Sequence, residues 1–362
     1  MSGESERDLQ DQMSDIKVVV IDEMSMVGLN MPGQIDQRLR QANPNHASEP
    51  MANYIVMLFG DFNQLPPVGD TALYKSPTHR QTSIDGKAVY AQFTKVFFLK
   101  AIMRQSGNDQ MQFRVLLQHL AVGQFSEDDY ALISSRFIRG TIGNYPEFTD
   151  SIRIMAKNEL INSYNIESLR KLQKPVVAIK AVHNTPSAAV FSSEDAQGLP
   201  SCLYLAVGTK VRLTKNLWTS QGLCNGTIGQ VADIVFEPNA DISSQLPLCV
   251  LVKFPSYLGP VLYDGAIPIT PVTSAFKKGN KNFTRRQFPL QLSYAISIHR
   301  SQGLTLDRAV VDIGDTEFSL GLAYVAISRL RTLEGILLQP FPITRISSLS
   351  ERKEFGLKKK RI

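Results

Sequence analysis

Few cysteines, no long apolar run and no phosphate-binding loop are what this sequence lacks. The three cysteines, Cys202, Cys224 and Cys249, are far apart and fit neither a metal site nor a disulfide framework. A reducing, intracellular compartment is therefore expected, in which the Asn-Gly-Thr at Asn225 and the Asn-Phe-Thr at Asn282 need no glycan. No segment approaches the roughly 18 apolar residues of a membrane helix, so no membrane partner is expected. Met1 to Gln12 is polar and acidic, without the basic and apolar regions of a signal peptide. The last absence is chemical. A Gly-rich loop closing in Gly-Lys-Ser/Thr is nowhere in the chain, and its only Gly-Lys pair, Gly86-Lys87, is followed by Ala88.

What remains is an ordinary globular composition, 43% hydrophobic and 20% charged, in a chain of 362 residues, long enough for two or three domains with real cores. A net charge of +6 is compatible with a polyanionic partner and decides nothing alone. The organising stretch is Asp15 to Met26. Val18-Val19-Val20-Ile21 reads as a strand buried on both faces, the habit of a central parallel strand, and Asp22-Glu23 stand at its C-terminal edge, where ligands bind in doubly wound sheets. An Asp-Glu pair there suits a Mg²⁺-nucleotide site, the Asp holding the metal and the Glu orienting water; a solvated acidic turn is the plainer alternative. Tyr54 to Phe59 repeats the pattern and delivers Asp61 or Gln64 to the same edge, Gln64 being either a γ-phosphate sensor or a loop amide.

Further along, Val96-Phe97-Phe98-Leu99 reads as a short strand leading to Met103-Arg104-Gln105. Asp109 is expected to cap a helix whose apolar positions Phe113, Leu116, Leu117 and Leu120 follow helical spacing and which Gly123 closes. A helix from about Ser126 to Phe137 ends the first domain. Ile152 to Ile179 reads as strand, helix, strand. Between Leu205 and Phe288 short alternating runs broken by Gly, Asn and Pro predict a small β-barrel, set at 228–288, inside an α/β domain. Helix and turn at Tyr294 to Gly303, a strand at Ala309 to Ile313, a helix at Leu320 to Leu330 and a last strand at Gly335 to Leu338 complete the pattern. Lys358 to Arg361 forms a basic tail.

Three segments together resemble known motifs. Val19-Val20-Ile21-Asp22-Glu23-Met24-Ser25-Met26, Gly60-Asp61-Phe62-Asn63-Gln64-Leu65-Pro66-Pro67-Val68, and Ile298-His299-Arg300-Ser301-Gln302-Gly303-Leu304-Thr305-Leu306 with Tyr324-Val325-Ala326-Ile327-Ser328-Arg329 resemble motifs II, III, V and VI of superfamily-one helicases, most closely the Pif family of the RecD-like branch. Met103-Arg104-Gln105 resembles that family's motif IV, and Leu205 to Val211 with Gly222 to Gly229 resembles the run preceding its inserted SH3-like barrel.

The resemblance implies an α/β fold of two RecA-like P-loop NTPase domains, the first truncated, with the barrel inserted in the second. Its domains would be 1–137, then 138–227 with 289–345, the barrel at 228–288 and a tail at 346–362. It implies an ATP-dependent 5′-to-3′ DNA helicase, an ATP hydrolase acting in DNA repair, recombination and telomere maintenance. Asp22 would position Mg²⁺, Glu23 the water and Gln64 the γ-phosphate sensor; Arg104 and Arg329 would be arginine fingers acting across the cleft between the two domains. Gln302 and Gly303 would bind nucleotide, and His299 and Ser301 would contact DNA, His299 being equally a satisfied core or surface histidine. Implied partners are ATP, Mg²⁺, single-stranded DNA and forked or structured DNA, with a monomer in the nucleus or, alternatively, the mitochondrion.

One departure weighs on activity. In the family a phosphate loop lies well upstream of motif II, whereas fifteen residues precede Ile16 here. The expectation is a C-terminal portion, inactive alone. A non-catalytic DNA- or partner-binding remnant and the helicase segment of a rolling-circle transposon are the alternatives.

Overall fold

Val18–Ile21 and Ile55–Leu58 pair in parallel, Val18 opposite Ile55 and Ile21 opposite Leu58, in the computed structural model, which describes residues 3–347 except 243, 263, 317 and 318. The strands are where the sequence pattern put them, but their burial is not two-sided. Val19 and Val56 pack against Leu39, Met51 and Val89, and Ile21 and Leu58 against Val27, Leu29 and Phe62. On the other face Val18, Val20, Ile55 and Met57 are 45%, 58%, 57% and 44% exposed. The reason is that the sheet has only these two strands among the described residues, and nothing lies across that face.

The chain divides into two compact units, one holding residues up to Thr149 with those from Ser301 onward, the other Asp150–Arg300. In the first, helix Gly3–Met13, which the sequence reading passed over, precedes the opening strand. Helices Asn30–Ala42 and Gln81–Tyr90 pack closely because Gly86 brings its backbone against the Leu29 carbonyl, where any β-carbon would collide. Lys87 of the Gly-Lys pair donates from Nζ to the carbonyls of Leu73 (2.6 Å) and Lys75 (3.0 Å), a helix-to-loop tie.

Helix Met111–Val122 buries Phe113, Leu116, Leu117 and Leu120 and ends at Gly123 in the left-handed region, φ 70°. Asp109 does not cap it. The helix starts after a 3-10 turn, Asn108–Gln110, and Asp109 instead accepts from the Gln110 amide. Helix Glu127–Ser134 has a capping box between Ser126 and Asp129, which satisfies two end groups at once. Val96–Leu99 belongs to no sheet. Ala309–Asp312 and Ile336–Leu338 form a parallel pair buried on both faces, and helix Leu322–Ile327 is buried at every position except Tyr324.

The second unit opens as strand Ile152–Met155, helix Asn158–Lys171 and strand Val177–Lys180, with Ala295–Ser297 parallel to the first strand. Its core is an antiparallel sheet in the order Ile267–Ile269, Cys249–Lys253, Ile228–Val235, Lys210–Leu213, Leu290–Leu292. Pro268 sits on the edge strand, where a missing N–H breaks no ladder. A hairpin, Val272–Lys278 with Lys281–Gln287, pairs with Val182–His183. Strands therefore fill the described part of 228–288, and the five-stranded sheet also takes in Lys210–Leu213 and Leu290–Leu292 from outside that span. The basic tail at Lys358 to Arg361 lies outside the described residues.

Candidate active site

Two parallel strands ending side by side set the geometry. The Phe59 amide donates to the Ile21 carbonyl and the Met24 amide to the Phe59 carbonyl, both at 2.8 Å, so the two exit loops are locked together. Their approach requires glycine at 60: φ is 142°, and a β-carbon would lie 2.7 Å from the Met24 nitrogen. Glu23 has a left-handed backbone, φ 55° and ψ 46°, which costs about 1–3 kcal/mol in a residue other than glycine and is held by the surrounding bonds. That turn leaves Asp22 exposed, its Oδ1 accepting from the Glu23 amide at 2.8 Å.

Glu23 Oε2 accepts from Gln302 Nε2 at 2.6 Å, so residues 279 positions apart meet at one carboxylate. Asp61, on the second exit loop, accepts from the Asn63 amide (2.8 Å) and from the Tyr324 hydroxyl (3.1 Å). Burial, then the Asp61 carboxylate, push the Tyr324 phenol well above its ordinary range, so it stays protonated and donating. Gly321 seats the helix that carries Tyr324 against the Asn63-Gln64 backbone: φ is 91°, and a β-carbon would stand 2.5 Å from the Asn63 carbonyl.

Two arginines converge on the same region. Arg104 donates from Nε to Thr305 Oγ1 (3.0 Å) and from Nη1 to the Ser328 carbonyl (3.1 Å). Arg329, 2% exposed, donates from Nε to the Val325 carbonyl and from Nη2 to Ser328 Oγ, both at 2.9 Å. Burial first, and then the neighbouring Arg104, bring Arg329 down to about 10, while Tyr324, Glu23 and Asp61 act the other way. Burial likewise lowers Arg104. Gln105, 4% exposed, donates from Nε2 to the carbonyls of Ser328 (3.2 Å) and Leu330 (2.7 Å), one on each side of Arg329. A cleft of about 410 Å³ opens beside these groups, lined by Asn63, Arg104, Gln105, Arg114, Tyr324 and Ser328 among others.

The structure thus gathers Asp22, Glu23, Gln64, Arg104, Gln302 and Arg329 into one unit, whereas the sequence reading set the two arginines across a cleft from each other. The cause is the return of the chain to the first unit at Ser301. Gly303 is exposed, φ 80°. Ser301 is fully buried, so a strand could reach it only if its surroundings opened. His299 belongs to the second unit, and burial lowers its pKa, which leaves the ring neutral at pH 7. Tyr324, Gln105 and Thr305 are contributors that motif reading quoted without a role; a buried amide beside an arginine was the available signal.

Two acceptors in the site have no donor. Gln64 Oε1 and Gln302 Oε1 are buried without a hydrogen-bond partner, a state that costs about 1–3 kcal/mol per group unless a ligand, water or partner supplies the donor. No cluster of three His, Cys, Asp or Glu side chains suited to a metal occurs among the described residues. A divalent cation here would have Asp22 as its one exposed carboxylate, which fits an ion arriving with phosphates and water but not a protein-caged ion.

Comparison with known proteins agrees with these motifs. The chain matches the family described as PIF1-like helicase over residues 3–130 and the DNA helicase Pif1 2B domain over 191–234. The ATP-dependent DNA helicase PIF1 of Homo sapiens is 31% identical over 330 residues, 89% of this chain and 46% of that protein. Its Danio rerio counterpart is 30% identical over 332 residues, again 46% of its length. The chain spans about half the length of the curated relatives it matches. Among solved structures, Pif1 helicase from Candida albicans superposes with a TM-score of 0.75 at 25% identity, over 99% of this chain and 79% of that one. A Bacteroides Pif1 in complex with ADP-AlF3 and ssDNA gives 0.65 at 25% identity, over 96% and 75%. The fold is accordingly the mixed α/β, RecA-like fold of these helicases, and no described helix is long and apolar enough to cross a membrane. By its matched segments, its relatives and its fold, the chain belongs to the Pif1-like helicase family.

Proposed function

We propose that this chain is the motor portion of an ATP-dependent 5′-to-3′ DNA helicase, bearing the water-activating and charge-stabilising groups but not the phosphate cradle. The observation that carries the reading is the 2.6 Å bond from Gln302 to Glu23 beside two buried amide oxygens that lack donors. Glu23 would orient the attacking water, Gln64 would sense it and the γ-phosphate, and Asp22 would take the Mg²⁺ that accompanies ATP. Gln302 and Gly303 would hold the nucleotide. Arg104 and Arg329 would stabilise charge on the transferred group once opening of the site releases them from the carbonyls they now serve.

In this reading 1–137 belongs to a first RecA-like domain, 138–227 with 289–345 to a second, and 228–288 to an inserted SH3-like barrel. Single-stranded and forked DNA would be gripped through phosphates and stacked bases, with His299 as a contact, in repair, recombination and telomere maintenance in the nucleus. One solved relative is described as unwinding forked dsDNA with two coordinating Pif1 helicases, so the monomer expected here refers to the free protein.

Without a Gly-Lys-Ser/Thr loop nothing holds a triphosphate against Glu23, and the chain alone is expected to hydrolyse ATP at background rate. The test is DNA-stimulated phosphate release by the purified chain and by its Glu23→Gln variant. A rate clearly above background that the substitution abolishes would overturn the inactivity; equal background rates fit it.

A further inference from the structure

The two-stranded pair at the heart of the first unit is an incomplete parallel sheet. Parallel strands occur almost only with both faces covered, because the crossovers that join them lay helices on each side. Here Val18, Val20, Ile55 and Met57 are between 44% and 58% exposed on one face, and neither Val18–Ile21 nor Ile55–Leu58 has a second strand neighbour among the described residues. In the same unit Val96, Phe97, Phe98 and Leu99, 57–89% exposed and apolar, stand outside every sheet. Open ladder edges, a bare apolar face and an unpaired apolar segment are the marks of a surface built to be covered.

We propose that this surface is the seat of a strand, phosphate loop and helix supplied by a separate polypeptide, a proposal that rests on the helicase reading above. Three observations choose the occupant. Both seated strands run the same way and end at Asp22 and Gly60-Asp61, so a third parallel strand would deliver its following loop to the same edge. At that edge Gln64 and Gln302 offer acceptors without donors, and a Gly-Lys-Ser/Thr loop is rich in donors, its backbone amides and its lysine. A second copy of this chain presents the same unmatched acceptors and carries no such loop. The relatives do have more polypeptide: the matched region is 46% of human PIF1 and 79% of the Candida albicans Pif1 chain.

The test pairs the intact chain with the portion of Candida albicans Pif1 that it does not cover, co-expressed and, in a second arm, joined to it by a flexible linker. Amide hydrogen exchange at 55–58 and 96–99 is expected to slow at least tenfold in both arms, and Ile55→Asp with Met57→Asp, both exposed in the free chain, to abolish co-purification. Unchanged exchange in the linked protein, or equal capture by the double variant, would overturn the seat. So would slow exchange at 55–58 in the chain alone together with a dimer mass by light scattering, which would give the surface to a second copy. ATP hydrolysis is measured separately: a complex that forms and protects these strands yet hydrolyses nothing leaves the seat standing and sinks the helicase reading.

Discussion

Gln105 shows how much of a motif's work is done by a residue that touches no ligand. Its amide donates to the carbonyls on either side of Arg329 and is almost wholly buried, so truncation strands two acceptors in the interior. Gln105→Ala is expected to destabilise the first unit by about 2 kcal/mol and to speed amide exchange around Leu330, measured by chemical denaturation and exchange mass spectrometry. Wild-type exchange in the variant would show that the helix alone holds Arg329. The sequence gave Arg104 and Arg329 away through their motif settings, since an arginine closing an apolar helix asks for a partner. It could not give the carbonyls that hold them, because those contacts join residues more than 200 positions apart and depend on the folded backbone.

At the scale of elements, the hairpin Val272–Lys278 and Lys281–Gln287 is held by one buried cation. Arg285 is fully buried, donates from Nε to His183 Nε2 at 3.0 Å, and reaches the carbonyls of Ala188, Phe191, Ser192 and Leu199. Arg285→Ala leaves those carbonyls without their donor and is expected to cost about 3 kcal/mol or more, read from urea unfolding. Accepting that bond requires His183 to be neutral at Nε2; burial and then the Arg285 charge lower its pKa from 6.5. The sign follows: below pH 6.5 the unfolded chain binds a proton that the folded unit resists, so stability falls as pH drops through that value. His299, also lowered by burial, adds to the same slope. His183→Gln keeps an acceptor for Arg285 and should flatten the dependence; an unchanged slope would assign all of it elsewhere. This element was hidden from sequence reading, which saw only short alternating runs. Helix Met111–Val122 was legible because its burial is periodic, and its start was misplaced because the 3-10 turn at Asn108–Gln110 precedes the α-helical bonds.

Across the whole molecule, legibility followed the kind of interaction. Strands that end in charged residues were found from the order of their residues, yet the bare face of the Val18–Ile21 pair was not, since an apolar run is the same whether its neighbours are present or missing. The basic balance of +6 belongs to this scale too, and it makes a prediction that motif chemistry does not. Binding of the chain alone to single-stranded DNA should weaken linearly in log Kd against log salt, because each neutralised phosphate releases about 0.7 of a counterion, and ATP should leave that affinity unchanged. In a protein completed with a phosphate loop the two ligands should become coupled, and the coupling must be reciprocal: whatever factor ATP imposes on the DNA dissociation constant, DNA imposes on that of ATP. Fluorescence anisotropy with labelled oligonucleotide, titrated with and without a non-hydrolysable ATP analogue, measures one side; calorimetric titration of the analogue with and without DNA measures the other. Coupling already present in the chain alone would mean that the residues around Glu23 and Gln302 bind nucleotide productively without the loop, and equal affinities in the completed protein would show that the Gln302 to Glu23 contact does not connect the two sites.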